Sequence, residues 1–320
     1  MDRDPDARWP QERQSRAALA AAVAIMFVWG ANFGVTKYVL GELGVGPFLF
    51  IRFLTTPVLG FLLLAVVYRR HLAKSWPRRE DLPRFVAAGL IGHTLHVGIV
   101  TWGIDLSTAF SSSLVLTSGP LFTLLILVLL GVEKLRARQV AGTATAFLGI
   151  VLFLSDKFSA GFSRAGMGDL VLLAAAALFS LYTVIAKPLA VRYGPLPLLA
   201  YTLLFGAPPL VLATLPSFLA APVGQLPWSV WLGMFWAAVI SAFLGWLVWS
   251  WVNAVRGVAR SAPLMYLMPP IAGVVAWLTL GESFSALKIA AAAVTMAGVA
   301  WAQFGGGHPP PREASQPDSG

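Results

Sequence analysis

Two histidines, His93 and His96, interrupt an otherwise apolar stretch. Three residues apart on a helix, they share one face. Counted from Arg84 at about 1.5 Å per residue, both fall near the middle of a membrane span. Imidazole titrates near neutral pH, so the pair has the chemistry of a proton relay. The plainer alternative is that each ring bonds to a neighbouring helix and only holds the bundle together. Polar groups inside a span face a cavity or the bundle interior. A zinc site is not supported: no carboxylate is near in sequence and the chain has no cysteine. No metal or other cofactor is implied.

Other residues add to this chemistry. Trp29 and Asn32 precede the pair in the chain, and Tyr182, Trp246, Trp249, Asn253 and Tyr266 follow it. Trp246 and Trp249 sit deeper than an interfacial anchor would, where an indole stacks on a ligand or packs between helices. Ser111, Ser112, Ser113, Thr117 and Ser118 make one stretch unusually polar, although hydroxyls bond readily to their own helix backbone. Arg52 lies inside an apolar segment, at a burial cost of roughly 2.5–3.5 kcal/mol unless it snorkels or finds a partner. Snorkelling to the outer surface is the favoured expectation, and contact with an anionic substrate the alternative.

The elements that position these groups are membrane helices. The 320-residue chain is 58% hydrophobic and 12% charged, with mean hydropathy +0.76. A soluble protein of this length cannot hide so much apolar surface, so an integral membrane protein is indicated. Apolar stretches near 17–37, 47–68, 84–104, 108–131, 137–155, 167–190, 197–216, 228–251, 258–280 and 285–304 predict ten spans. Residues 1–16 and 305–320 read as disordered cytoplasmic ends. The first span is too long for a signal-peptide core and is retained.

The net charge of +9 raises nucleic-acid binding as one reading. Its distribution points elsewhere. With the N-terminus inside, eighteen of the 23 Lys and Arg fall in inside segments and four in outside segments, Arg52 being the remaining one. That bias predicts an inner-membrane protein with both termini cytoplasmic. The expected partners are the lipid bilayer and a small-molecule substrate, with proton coupling possible and no nucleic acid. The sequence does not give the oligomeric state.

The chain also repeats itself. A shift of 150 places Lys37 on Lys187, Gly44 on Gly194, Pro47 on Pro197, Ala109 on Ala259 and Pro120 on Pro270; a shift of 149 then places Glu133 on Glu282 and Gly149 on Gly298. Five spans per unit is an odd number, so the second unit, 167–304, must be inverted in the bilayer relative to the first, 17–155. Pro120 in the fourth span and Pro269 and Pro270 in the ninth predict breaks at matching places, which point to a central site and to hinges. Small residues crowd the fifth and tenth spans and predict close helix packing, with contact between these two spans as one arrangement.

The ordered set Trp29-Gly-Ala-Asn-Phe with Lys37, Pro47 followed by Arg52, Ser118-Gly-Pro120, Gly131-Val-Glu133-Lys-Leu and Gly142 with Gly149 resembles the EamA family of the drug/metabolite transporter superfamily. Lys187, Pro197, Pro269-Pro270, Leu280-Gly281-Glu282 and Gly298 repeat it, so the likeness covers about residues 17–304. The resemblance implies ten helices, internal termini, a cavity between the first four helices of each half, and export of small metabolites, often amino acids. By position it implies Trp29, Asn32, His96, Thr117, Tyr182, Trp246 and Tyr266 as cavity residues. The chain departs from a symmetric pattern at Thr202, opposite Arg52, and at Phe179-Ser180, opposite Trp29-Gly30.

The expectation is therefore a transporter that exports amino acids or related compounds by alternating access. A facilitative uniporter or channel-like permease is the alternative. No carboxylate sits at the middle of a span: Asp105, Glu133, Asp169 and Glu282 fall near span ends. An enzyme is not indicated, because no nucleophile, metal set or carboxylate pair has suitable spacing.

Overall fold

The computed structural model describes residues 8–69, 76–131, 137–158, 164–256 and 262–304, and their regular structure is entirely helical. The first repeat supplies α1 (Arg8–Leu43), α2 (Val45–Val67), α3 (Arg79–Leu106), α4 (Ala109–Leu116 and Gly119–Leu129) and α5 (Ala137–Phe158). The second supplies α6 (Arg164–Tyr193), α7 (Pro195–Ala220), α8 (228–256), α9 (262–280) and α10 (Ala286–Phe304). Among the described residues, seven helices are long and apolar enough to cross a membrane, and Leu264–Leu280 and Ala286–Trp301 are shorter apolar helices. The chain is a multi-pass membrane protein.

The outer surface is apolar, as a lipid-facing surface must be. Leu54, Val58 and Leu62, four apart on α2, are each more than half exposed, while Phe53, Thr56 and Leu64 on its other face are buried. This reverses the solvent-polar pattern of a water-soluble helix.

The repeat seen in sequence is a repeat of structure. Gly44 (φ 82°) and Gly194 (φ 80°) make the same sharp junction between the first and second helices of each unit. Only a residue without Cβ takes this conformation cheaply. The packing obeys the same exchange. Helix α1 packs on α8 and α9, and its counterpart α6 packs on α3 and α4; α2 packs on α7, and α5 on α10. In the last pair, a Cβ added at Gly149 would lie 2.5 Å from the Thr295 nitrogen, and one at Gly298 2.3 Å from the Ala146 nitrogen. The two small-residue helices thus meet backbone to backbone, as their composition suggested.

Three features depart from the sequence reading. Helix α1 starts at Arg8, inside the stretch expected to be disordered. Pro10 falls in its first turn, where no amide partner is needed, and Gln, Glu and Arg continue a helix readily. Second, α4 is two helices rather than one kinked rod: it stops at Leu116 and restarts at Gly119, with Pro120 in the new first turn. In α9, a 3-10 segment (Ala262–Leu267) gives way at the equivalent place to an α-helix starting at Met268, with Pro269 and Pro270 in its first turn. The prolines therefore open helices instead of bending them. Third, α3 and α8 each contain a wide π-helical stretch, Leu90–Val97 and Trp236–Leu244, at overlapping repeat positions. Residues 1–7 and 305–320 lie outside the described residues, as does Glu133.

Candidate functional site

A cavity partly open to solvent lies where α2, α3, α6, α7 and α8 converge. Its walls come in repeat-related pairs: Phe53 with Leu203, Gly92 with Ala242, His93 with Phe243, and His96 with Trp246. Both repeat units therefore contribute equivalent residues to it. Arg52 and Thr56 complete the α2 side, and Phe179 and Tyr182 of α6 form an aromatic wall. Both π-helical stretches contribute lining residues. A π turn re-aims side chains and leaves backbone groups unpaired, and such turns are frequent at functional sites. The Trp29 indole N–H donates to the Ser241 carbonyl, within the second of these stretches, at 3.0 Å.

Hydrogen bonds orient both histidines and place a proton on one nitrogen of each ring. The Thr202 hydroxyl donates to the Leu198 carbonyl at 2.8 Å, so it accepts at 3.0 Å from the Nε2–H of His93. His96 donates its Nδ1–H to the Ala175 carbonyl at 2.9 Å. Each ring ties α3 to a helix of the other repeat and also lines the cavity, so the two sequence readings are compatible. Rings pack around them: His93 on Tyr182 (centroids 5.8 Å apart), His96 on Phe179 (5.1 Å), and Tyr182 and Phe179 both on Trp246 (6.3 and 5.9 Å). Gly92 makes room for this wall, since a Cβ there would meet the Tyr182 ring at 2.3 Å.

Arg52 lines the cavity, so the expected snorkelling to the outer surface is corrected. Its guanidinium lies within electrostatic range of both histidines. The α2 helix directs it inward, on the face that also carries Phe53 and Thr56.

Of the sequence candidates, the structure gathers His93, His96, Tyr182 and Trp246 around the cavity. Trp29 stands one layer behind, its ring 6.4 Å from Trp246 and 5.6 Å from Trp249. Asn32, Thr117 and Tyr266 are not among the lining residues. The Asn32 Oδ1 and the Tyr266 hydroxyl are buried without a protein partner, and Thr117 bonds back to the Ser113 carbonyl at 2.7 Å. Tyr266 packs instead with Leu121, Ala146 and Val299, between α4, α5 and α10. Sequence reasoning passed over Phe53, Thr56, Phe179 and Phe243. Phe243 was detectable as the repeat counterpart of His93.

Polar clamps pin both ends of the α3–α6 pair. At one end Arg192 meets Asp81 (2.6 Å) and Glu80 (3.2 Å), and the Tyr193 hydroxyl donates to Asp81. At the other, Arg164 meets Asp105 at 2.8 Å, Lys37 donates to the Ile104 carbonyl at 3.0 Å, and Ser107 donates to the buried Asp169. Near that end, Glu282 accepts from the amides of Ala109 (2.7 Å) and Phe110 (3.3 Å), so the segment between α9 and α10 holds the first turn of α4.

Comparison with known proteins agrees with this architecture. A probable terminal-alkyne amino-acid exporter from Streptantibioticus cattleyicolor is 30% identical over 285 residues, which is 88% of this chain and 92% of the exporter. A probable amino-acid metabolite efflux pump from Salmonella typhimurium is 25% identical over 301 residues, 89% of this chain and 94% of the pump. A solved crystal structure superposes with a TM-score of 0.61 at 18% identity, over 90% of this chain and 98% of its own, which speaks to the fold alone. The EamA-like transporter family model matches residues 16–155 and again 166–303, so this two-repeat chain belongs to the EamA-like transporter family.

Proposed function

We propose that the chain is a secondary transporter that exports small metabolites, amino acids or related compounds, across the inner membrane by alternating access. In this reading all ten helices cross the bilayer, the two repeats are inverted, and both termini are cytoplasmic. One observation carries it: the cavity is walled by repeat-equivalent residues of both units, at the axis about which the halves would rock. The matched breaks in α4 and α9 and the paired π segments of α3 and α8 support it, because they supply deformable helix at the same depth in each half. The names of the two relatives support amino-acid-like cargo.

If a proton drives export, its carriers are His93 and His96, since no carboxylate is among the cavity-lining residues. A facilitative uniporter is the competing mechanism, and that lack of a cavity carboxylate favours it. A thermal-shift screen of small metabolites on the purified protein finds ligands. Counterflow in proteoliposomes then separates the mechanisms. A carrier shows trans-stimulation by unlabelled ligand, and a channel-like permease does not. Proton coupling predicts accumulation that follows an imposed pH gradient and is lost in His96→Ala; uptake indifferent to both leaves the uniporter. A reporter fused after Gly320 that proved periplasmic would overturn the topology.

A further inference from the structure

We propose that the cavity selects its ligand through a carboxylate bound to Arg52, and that it takes small monocarboxylates with an apolar or aromatic body whether or not they carry an α-amino group. The proposal rests on reading the cavity as the transport site and specifies what that site accepts.

Arg52 is the one Lys, Arg, Asp or Glu among the lining residues. Among the described residues its guanidinium has no hydrogen-bond or ion-pair partner. Arg52 is half-buried, and a cation partly withdrawn from water without a counter-charge is costly, so it fits a place that an anion visits. The fold does not require it. Thr202 occupies the equivalent place in the second repeat, where its hydroxyl serves His93 and the backbone. The two imidazoles cannot neutralise Arg52, because an imidazole is either neutral or cationic. A guanidinium presents paired N–H donors that match the two oxygens of a carboxylate.

The rest of the cavity says what the acid is attached to. Phe179, Tyr182 and Trp246 contact one another at centroid distances of 5.9 to 6.3 Å and give a continuous ring surface. Leu199, Leu203 and Phe243 are apolar. Because no carboxylate lines the cavity, an α-ammonium group finds no counter-charge there, only ring faces, the Thr56 hydroxyl and imidazole nitrogens, a weaker attraction than an ion pair. Recognition therefore falls on the acid and the apolar body, and the amine adds little.

The test uses the purified full chain in nanodiscs, with binding of three probes measured by calorimetry: 3-phenylpropionate, its uncharged isostere 3-phenylpropanamide, and L-phenylalanine. The acid should bind about 10- to 100-fold more tightly than the amide, the range expected for one charge-assisted contact. It should also bind at least as tightly as the amino acid. Arg52→Gln should lower acid affinity to that of the amide and leave the amide unchanged, while Arg52→Lys keeps most of the preference. Equal binding of acid and amide, or no binding of the acid at millimolar concentration, overturns the proposal. Should Arg52→Gln fail to fold, the acid-to-amide ratio on the unaltered chain still decides. Failure of counterflow with every probe would sink the transport reading but leave a measured acid preference standing. Counterflow that treats acid and amide alike would sink the Arg52 proposal alone.

Discussion

Replacing Glu282 by alanine should destabilise the protein through the first turn of α4, 173 residues earlier in the chain. The geometry sets the magnitude. The carboxylate accepts from the amides of Ala109 and Phe110, which are 0% and 9% exposed, and Thr108 caps the amide of Ser111 at 3.2 Å. Three of the amides that a helix start leaves unpaired are thus supplied by two side chains. Alanine at 282 strands two buried donors, at about 1–3 kcal/mol for such a group. It also removes a negative charge from the positive end of the helix, at about 0.3–1 kcal/mol. We expect a net loss of about 3 kcal/mol. Glutamine keeps one acceptor oxygen and loses the charge, and should lose about 1 kcal/mol.

The assay is thermal unfolding of the purified protein in one detergent, followed by helical circular dichroism. Glu282→Ala should lower Tm by roughly 5–10 °C, and Glu282→Gln by about a third of that. A double-mutant cycle with Thr108→Ala tests whether the two caps act as one unit. Adjacent caps on one helix turn should be non-additive. If Glu282→Ala and Glu282→Gln left Tm within one degree of the parent, the cap would carry no stability and the argument would fail.

Two further outcomes follow from the packing. Gly298→Ala forces a Cβ to within 2.3 Å of the Ala146 backbone nitrogen, and should cost about 1–3 kcal/mol of unfolding free energy, where the same substitution at Gly41, which meets nothing within 4 Å, should be neutral or stabilising. Thr202→Val removes the acceptor of His93 Nε2–H and should cost about 1–3 kcal/mol in denaturant unfolding; Thr202→Ser, which keeps the hydroxyl, should restore more than half of that.

The repeat made much of the scaffold legible. The spacing of Gly44 and Gly194, the small residues facing across α5 and α10, and the matched proline positions all survive in the structure, because each reports a backbone requirement that a single residue type satisfies. The π stretches were not legible. Nothing in their sequences, Leu90–Val97 and Trp236–Leu244, marks a wider turn, which is chosen by packing between helices. Arg52 was ambiguous for a different reason. A long charged side chain in a span satisfies the same sequence pattern whether it reaches the interface or a cavity, and its direction depends on helix rotation. Glu282 was visible as half of a repeated pair with Glu133, but its partners lie at 109 and 110, a pairing that only the tertiary fold creates.

The cavity draws repeat-equivalent residues from α2 and α7 and from α3 and α8, but not from the first helix of each unit. Phe179 and Tyr182 of α6 line it, while their repeat counterparts Trp29 and Asn32 of α1 do not. Two inverted repeats that exchange conformations would exchange these roles. In the opposite-facing state, α1 would bring Trp29 and Asn32 to the axis as α6 withdraws. The buried, unpartnered Oδ1 of Asn32 fits a group that pairs only in that other arrangement. This explains why sequence position nominated Trp29 and Asn32 while the structure set them back from the cavity. The chain has no cysteine, so single substitutions can be labelled without background. Asn32→Cys and Tyr182→Cys should respond oppositely to a membrane-impermeant thiol reagent when conditions shift the carrier between facing states, one gaining reactivity as the other loses it. Parallel changes at both positions would mean that α1 and α6 do not trade places, and the rocking of one repeat against the other would have to be abandoned.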